Sequence, residues 1–436
     1  MHLALLLIAT DHASKSFHQN DILMGKTIVI TSGLLAMATW FGAEYLLILV
    51  HASPLVDFAL YACFPFFVVV FLVSLFIVRV RPPGTGIATR RAFFVLRIAA
   101  TAAIAVFLLM VFWPRSYGTP PMVERPGMRY WDLPTGSHIA YTLIPAQGEK
   151  KPYPLIFLHG GPGGAIGEGN IRGLAWLAAE GYDIYLYDQV GGGFSNRLRN
   201  VRDYTTERHV RDLDAIVQQI GAKKVILLGH SWGAILAVLY AADHPDRVDR
   251  LIMTGPGPIF PIRSGLATER APDSLHLKPP FYSNRQGNDQ ANNIRTHAME
   301  FFATQFGWKI ASDREADDFA GYLNSLLERS TVADTSKIGP IRPIPGVGYY
   351  AGVMTYYSRL NTPDPRPRLR NTTIPLLVMK GQYDNQKWGF THEYLELFPV
   401  HRLVVVPNAG HSIGREQPAL LDSTIRDFLK TTYIRQ

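Results

Sequence analysis

The sequence predicts an α/β fold with a mostly parallel sheet, interrupted by a mainly helical insertion and preceded by about three transmembrane helices. Three observations predict this. Short apolar runs alternate with helical stretches after residue 128, the alternation breaks over residues 256–360, and long apolar segments lie before residue 114. Strands that alternate with helices imply a parallel sheet with helices on both faces. The predicted domains are a membrane anchor over residues 1–113, a linker over 114–127, a core over 128–255 and 361–436, and a cap over 256–360.

Three apolar segments precede the linker, over residues 27–50, 55–78 and 92–113. A helix needs about 20 mainly apolar residues to cross a bilayer, and each segment reaches that length. A secretory signal peptide would instead contain one shorter apolar core. We therefore expect a lipid bilayer to be the partner of residues 27–113.

The connections between these segments predict their orientation. Residues 51–54 contain no Lys or Arg, whereas the second connection contains Arg79, Arg81, Arg90 and Arg91. Connections rich in Lys and Arg stay in the cytoplasm. Three spans would then place the N-terminus inside and everything after residue 113 on the non-cytoplasmic side of a multi-pass membrane protein.

The composition argues against several classes of partner and site. The formal net charge is +8, but no basic stripe with interleaved aromatics suggests nucleic-acid binding. The one cysteine, Cys63, rules out an intrachain disulfide and C-x-x-C motifs. The sequence also has no H-E-x-x-H motif, and its glycine-rich stretches lack the pattern of a phosphate-binding loop. We expect no metal, no organic cofactor and no nucleic-acid partner.

From residue 128 onward the pattern predicts the elements of the core in order. Residues 128–131 and 138–143 alternate around a Pro-Thr-Gly-Ser turn, which is typical of an antiparallel hairpin. Short apolar runs predict further strands at 155–158, 184–187, 225–228, 251–254, 375–379 and 402–406. Helices are predicted at 171–180, 206–220, 234–242, 391–397 and 418–431, and inside the cap at 293–306 and 316–327.

The rest of the chain is organised around residues 224–234. A strand-like run leads into Gly229-His-Ser-Trp-Gly233, and an apolar helical stretch follows. Strand, G-x-S-x-G and helix in succession are the context of a nucleophile elbow, where small residues permit a tight turn and the serine hydroxyl stands above the sheet. This pattern predicts Ser231 as a nucleophile.

An activated serine needs a base, and the base needs an orienting acid. In α/β-hydrolases these residues follow in the order Ser, Asp, His. Asp384 and His411 come just after the predicted strands at 375–379 and 402–406, in that order. The carboxyl ends of parallel strands share one edge of a sheet, which is where Ser231 also emerges. We therefore expect Ser231, His411 and Asp384 to form a catalytic triad.

A tetrahedral oxyanion needs fixed hydrogen-bond donors. The strand at 155–158 ends in His159-Gly-Gly-Pro-Gly-Gly164, where glycines let the backbone approach a substrate. The expected donors of this oxyanion hole are the amides of Gly161 and of Trp232, the residue after the nucleophile.

Five blocks together resemble the prolyl iminopeptidase family of α/β-hydrolases, namely 159–164, 188–195, 229–233, 381–384 and 409–412. The resemblance runs from about residue 128 to the C-terminus and implies the same roles for Ser231, His411 and Asp384. Two features depart from the family. Val190 stands where an arginine is common, and the Trp-x-x-Trp-Glu block that helps to hold the substrate's amino group is missing from the cap. Glu300 is the nearest candidate for that substrate-binding carboxylate.

We therefore expect a membrane-anchored serine hydrolase that cleaves an amide or ester of a small molecule or short peptide through an acyl-enzyme. A prolyl iminopeptidase-like aminopeptidase is the preferred reading, and an esterase or lipase-like enzyme is the alternative. A dehalogenase or epoxide hydrolase would carry aspartate in place of Ser231. Two alternatives are not enzymes. One is a catalytically silent hydrolase-fold domain that acts as a receptor or scaffold, and the other is a transporter or sensor whose function depends on the membrane spans.

Overall fold

The computed structural model describes residues 87–431 of the chain. The predicted membrane spans over residues 27–50 and 55–78 therefore lie outside the described residues. Helix α1 (Ile87–Phe112) and Asn293–Ala298 belong to one compact unit. The chain from Pro114 onward, apart from Asn293–Ala298, belongs to a second unit, which contains the sheet.

The third predicted span, over residues 92–113, coincides with α1. Across residues 87–431, no helix is both long enough and apolar enough to cross a membrane. The prediction of a membrane span, and hence of a bilayer partner, at residues 92–113 is not supported.

The described chain contains one eight-stranded sheet. Its strands are β1 (Arg129–Asp132), β2 (His138–Ile144), β3 (Leu155–Leu158), β4 (Ile184–Tyr187), β5 (Val225–His230), β6 (Val248–Thr254), β7 (Leu376–Gly381) and β8 (His401–Val406). The order across the sheet is β1-β2-β4-β3-β5-β6-β7-β8. Strand β2 pairs antiparallel with β1 and β4, and all other pairs are parallel. The predicted hairpin and the mostly parallel sheet are confirmed.

Helices follow or connect most of these strands. They are α2 (Glu168–Leu174), α3 (Trp176–Ala179), α4 (Thr206–Ile220), α5 (Trp232–Asp243), α6 (Asn284–Ala291), α7 (Ile294–Phe301), α8 (Asp313–Leu327), α9 (Tyr349–Ser358), α10 (Arg366–Leu369), α11 (Trp388–Leu397), α12 (Ile413–Glu416) and α13 (Pro418–Lys430). Helix α4 shows how local sequence sets the bounds. The Thr205 side chain accepts a hydrogen bond from the Arg208 amide, and Gly221 ends the helix in the left-handed region.

Two predicted helices differ from the observed ones. Instead of one helix over 171–180, the chain forms α2 from Glu168 to Leu174 and α3 from Trp176 to Ala179, separated by Ala175, whose backbone is still right-handed helical. The predicted helix over 293–306 ends at Phe301 and continues as a π-helical turn over Phe302–Phe306, closed by Gly307 at φ +74°. Between residues 256 and 360 the described chain contains helices and loops but no strand.

Strand β5 lies between two apolar clusters, one on each face of the sheet. Val225 and Leu227 contribute to one cluster, and Ile226 and Leu228 to the other. A strand buried on both faces is read in sequence as a continuous apolar run, which is how β5 was predicted. The ends of β5 to β8 lie in register, so the loops that follow them emerge at one edge of the sheet.

Candidate active site

Ser231 occupies a sharp turn between β5 and α5. Its backbone has φ +54° and ψ −114°, a conformation that non-glycine residues rarely adopt. The two neighbouring glycines have no room for a side chain. A Cβ at Gly229 would lie 2.5 Å from the Gly233 carbonyl oxygen, and one at Gly233 would lie 1.9 Å from the carbonyl oxygen of Leu158. The turn therefore has the geometry of a nucleophile elbow.

The Ser231 backbone is tied to the neighbouring strand. Its amide donates to the carbonyl oxygen of Thr254, the last residue of β6, over 3.1 Å. Ser231 is half-buried, whereas Trp232 and Gly233 behind it are buried. The serine thus stands at the accessible edge of the sheet.

Asp384 and His411 form a buried pair beside this turn. Asp384 follows β7, His411 follows β8, and the His411 Nδ1 atom lies 2.8 Å from Asp384 Oδ1. The Gln386 amide donates to the same oxygen over 3.0 Å. The close approach of Gly255 places the pair at the end of β6, since a Cβ there would lie 2.6 Å from His411 Nδ1. The structure therefore brings together the acid and base predicted from sequence, next to the strand end that holds Ser231.

The environment of Asp384 favours its ionised form. Complete burial alone would raise the pKa of this carboxyl group, but the ammonium group of Lys380 and the nearby His411 outweigh that effect. The pKa of Asp384 lies well below its usual range, so the group is a carboxylate at neutral pH. In that state it can accept the Nδ1 proton of His411, which leaves Nε2 free to take a proton from a nucleophile.

His230 packs against His411, with ring centroids 4.7 Å apart. Burial and the neighbouring His411 lower the pKa of His230 to about 3, so this ring is neutral at physiological pH. Its Nδ1 atom lies 3.2 Å from the Thr254 carbonyl oxygen and 3.1 Å from the Thr254 hydroxyl oxygen. The neutral ring therefore adds no charge to the site.

The two segments expected to supply oxyanion donors lie beside Ser231. Trp232 begins α5, and its amide is one of the first four helical N–H groups, which have no partner within the helix. The glycine-rich loop approaches from the other side, since a Cβ at Gly160 would lie 3.3 Å from Ser231 Cβ. Gly161 follows at φ +129°.

A buried polar network fixes the glycine-rich loop. The Gln189 amide donates to His159 Nε2 over 3.0 Å, and the Trp232 indole donates to Gln189 Oε1 over 2.7 Å. Burial is the main cause of a lowered pKa at His159, which matches its role as an acceptor. Sequence reasoning did not assign roles to His159 or Gln189, although both lie in the blocks that carried the family resemblance.

Glu300 lies apart from these contacts. Its side chain is exposed in the last turn of α7, and its carbonyl oxygen accepts from the Thr304 hydroxyl over 2.9 Å. Within residues 87–431, the contacts described do not join Glu300 to Ser231, Asp384 or His411. Its predicted role in substrate binding stays a prediction.

Residues 153–418 match the sequence profile of the family described as "alpha/beta hydrolase fold". A proline iminopeptidase of Arabidopsis thaliana is 35% identical over 284 residues, covering 61% of this chain and 70% of that protein. A proline iminopeptidase of Saccharolobus solfataricus is 25% identical over 316 residues, covering 68% of this chain and 91% of that protein. A solved esterase of Thermogutta terrifontis has a TM-score of 0.48 and 18% identity, covering 70% of this chain and 98% of that one. The matched region spans the elbow, the Asp384–His411 pair and the glycine-rich loop, and the chain belongs to the α/β-hydrolase family.

Proposed function

We propose that this protein is a serine hydrolase in which Ser231 is the nucleophile, His411 the general base and Asp384 the orienting acid. The observation that carries the proposal is the strained, glycine-flanked turn at Ser231 beside the 2.8 Å contact between His411 and Asp384. An orienting carboxylate, an imidazole base and a serine at an elbow are the side chains that serine hydrolases use for acyl transfer.

In the proposed reaction, Ser231 Oγ attacks the substrate carbonyl carbon while His411 Nε2 takes the hydroxyl proton. The amides of Gly161 and Trp232 donate to the resulting oxyanion. When the tetrahedral intermediate collapses, the amine or alcohol departs with the proton from His411, leaving an acyl group on Ser231. Water then attacks this ester with the help of the same base, which releases the acid and restores the serine.

The preferred substrate is a short peptide or aminoacyl amide with a free N-terminal proline. The support is the repeated similarity to proteins named proline iminopeptidase, one of them 35% identical. An esterase is the second candidate, because the acidic block of the cap is missing and Glu300, its nearest substitute, is exposed.

The test uses the full-length protein and its Ser231→Ala variant. Both are offered prolyl and other aminoacyl arylamides beside short-chain p-nitrophenyl esters. Cleavage of prolyl arylamides that depends on Ser231 supports the aminopeptidase. Cleavage of esters alone moves the enzyme to the esterase class. No cleavage, together with no reaction with a fluorophosphonate, would indicate the catalytically silent receptor or scaffold.

We also propose, from sequence alone, that residues 27–50 and 55–78 attach the chain to a membrane. Two spans with the arginine-rich connection after residue 78 inside leave the hydrolase region in the cytoplasm, whereas the non-cytoplasmic side expected from sequence requires residues 92–113 to cross as well. The test is fractionation of the full chain and of a variant that lacks residues 27–78, followed by protease accessibility in intact spheroplasts. Recovery of the full chain in the supernatant would contradict the attachment. Cleavage of the hydrolase region by added protease would indicate three spans and the non-cytoplasmic side, and resistance would indicate two spans and the cytoplasmic side. Full biological activity of the shortened variant would contradict a transporter or sensor function that depends on these segments.

A further inference from the structure

A buried lysine lies next to the candidate triad. Lys380 is the penultimate residue of β7, and only 2% of its side chain is exposed. Its Nζ atom lies 3.3 Å from Asp384 Oδ2 and 2.9 Å from the Gln386 carbonyl oxygen. Lysine is almost never fully buried unless it is paired. Both acceptors belong to the turn that presents Asp384.

The two carboxylate oxygens of Asp384 have separate partners. Oδ1 faces His411 Nδ1 and the Gln386 amide, whereas Oδ2 faces Lys380. The Asp384 side chain is completely buried, so bulk solvent does not reach it to replace a missing partner. Removing one member of a buried ion pair leaves an uncompensated charge, and this is strongly unfavourable.

We propose that Lys380 is a positioning residue of the hydrolase: through Oδ2 its ammonium group fixes the Asp384 carboxylate so that Oδ1 faces the general base His411. The proposal rests on the hydrolase function proposed above and extends it to a residue that touches neither the nucleophile nor the oxyanion donors. Lys380 acts on catalysis only through Asp384.

Lys380 also sets the charge balance of the buried site. The other titratable groups facing the pair are His230, whose ring packs on that of His411, and Glu416, which accepts from the Gly410 amide beside His411. His159, at the start of the glycine-rich loop, lowers the pKa of His230 through its charge. Of these, Lys380 is the one that directly contacts Asp384 with a positive charge.

The sign of the expected pH effect follows from this arrangement. A nearby cation disfavours protonation of both Asp384 and His411. With a neutral side chain at position 380, the Asp384–His411 pair takes up its proton at a higher pH. The general base must be unprotonated to act, so the acidic limb of the activity profile moves to higher pH, by about one unit.

The test compares full-length wild type with Lys380→Met and Lys380→Gln. Lys380→Arg keeps the charge, and Lys387→Met removes an exposed lysine three residues beyond Asp384. The readout is the rate of fluorophosphonate labelling against pH, which needs no knowledge of the substrate. Thermal melting shows whether each variant folds. If Lys380→Met does not fold, Lys380→Gln is used as the neutral variant. The His411 imidazole is titrated in parallel by NMR in histidine-labelled protein, with His411→Gln for assignment.

We expect the acidic limb of the labelling rate against pH to move upward in both neutral variants. Lys380→Arg and Lys387→Met should keep the wild-type pH profile. Rates that fall by one factor at every pH, or that do not change, would assign Lys380 a purely structural role and overturn the proposal. If wild type is not labelled at all, the hydrolase function fails instead. The NMR titration then tests the role of Lys380 separately from the hydrolase function. A His411 pKa that is higher in the neutral variants than in wild type supports the proposed role of Lys380, and an unchanged His411 pKa overturns it.

Discussion

Ser231 combines an unfavourable backbone conformation with neighbours that only glycine can supply. Its φ of +54° is rarely adopted by L-residues, and the contacts that a Cβ would make at Gly229 and Gly233 exclude any other residue there. Strain of this kind persists only where the surrounding structure holds it, and it is concentrated at functional sites. The proposed nucleophile is therefore held by the backbone around it.

At the same scale, Asp384→Asn should reduce turnover strongly. The amide cannot carry the negative charge that stabilises protonated His411, and it can donate to Nδ1 and favour the wrong tautomer. A loss of kcat of about 10⁴-fold is known for such a change in a serine triad. The measurement is kcat on whichever substrate wild type cleaves, with Asn385→Ala, at the next position, as a control. An Asp384→Asn enzyme within about tenfold of wild type would contradict the role of Asp384.

At the scale of elements, three glycine-containing loops pack on one another near Ser231. The Gly348 amide, just before α9, donates to the Gly163 carbonyl oxygen over 2.7 Å, and the Gly193 amide donates to the Gly346 carbonyl oxygen over the same distance. A Cβ at Gly348 would lie 1.7 Å from the carbonyl oxygen of Gly191. The region predicted as a cap is thus fixed directly to the loop expected to supply an oxyanion donor.

Gly348→Ala should therefore lower both stability and turnover. The added methyl group meets the backbone of Gly191 and Gly192 and forces the start of α9 away from them. This also disturbs the hydrogen bond from the Gly348 amide to the Gly163 carbonyl oxygen in the glycine-rich loop. Overpacking of this kind costs roughly 1–3 kcal/mol. Gly169→Ala, inside α2 with open space around the new Cβ, is the matched control and should be neutral or slightly stabilising. Thermal melting and kcat are measured for both, and equal behaviour of the two variants would refute the packing argument.

The elements differ in how well the sequence predicted them. Strands β3 and β4 match their predicted bounds because they are short apolar runs buried on both faces. Helix α4 matches because Thr205 and Gly221 mark its ends. The break between α2 and α3 carries no proline or cap signal, and such a break depends on tertiary packing that local sequence does not encode.

The part of the candidate site that could be predicted from sequence is the set of residues that follow the ends of predicted strands. Ser231, Asp384 and His411 each follow a predicted strand, so the sheet topology was enough to place them together. Lys380 was not singled out, although a lysine at the end of the apolar run of β7 is the signal that could have revealed it. Glu300 was chosen because its neighbouring residues resemble the missing Trp-x-x-Trp-Glu block. Such a local similarity does not determine the direction in which a side chain on a cap helix points.

At the scale of the whole molecule, buried neutral histidines predict a loss of stability in acid. Burial lowers the pKa of both His209 and His230 to about 3, against about 6.5 in the unfolded chain. Below pH 6.5 the unfolded state binds protons that the folded state excludes, so their stabilising contribution is complete above pH 6.5 and is lost as pH falls toward 3.

The free energy of unfolding should therefore fall between pH 7 and pH 5, by roughly 1–2 kcal/mol for each such histidine. His209→Gln should flatten this dependence, whereas His138→Gln, which alters a half-exposed ring, should leave it unchanged. Urea unfolding at several pH values measures the effect. A wild-type stability that does not change over this range would contradict the assignment of buried neutral histidines.

The proposed triad can be tested directly by mapping the site of fluorophosphonate labelling on the full-length protein with peptide mass spectrometry. We predict one adduct, on Ser231. The adduct should be absent in Ser231→Ala and should form at least about 10³-fold more slowly in His411→Ala, because the serine then lacks its base. An adduct on another residue, no adduct, or labelling of Ser231 at the wild-type rate without His411 would contradict the proposed triad.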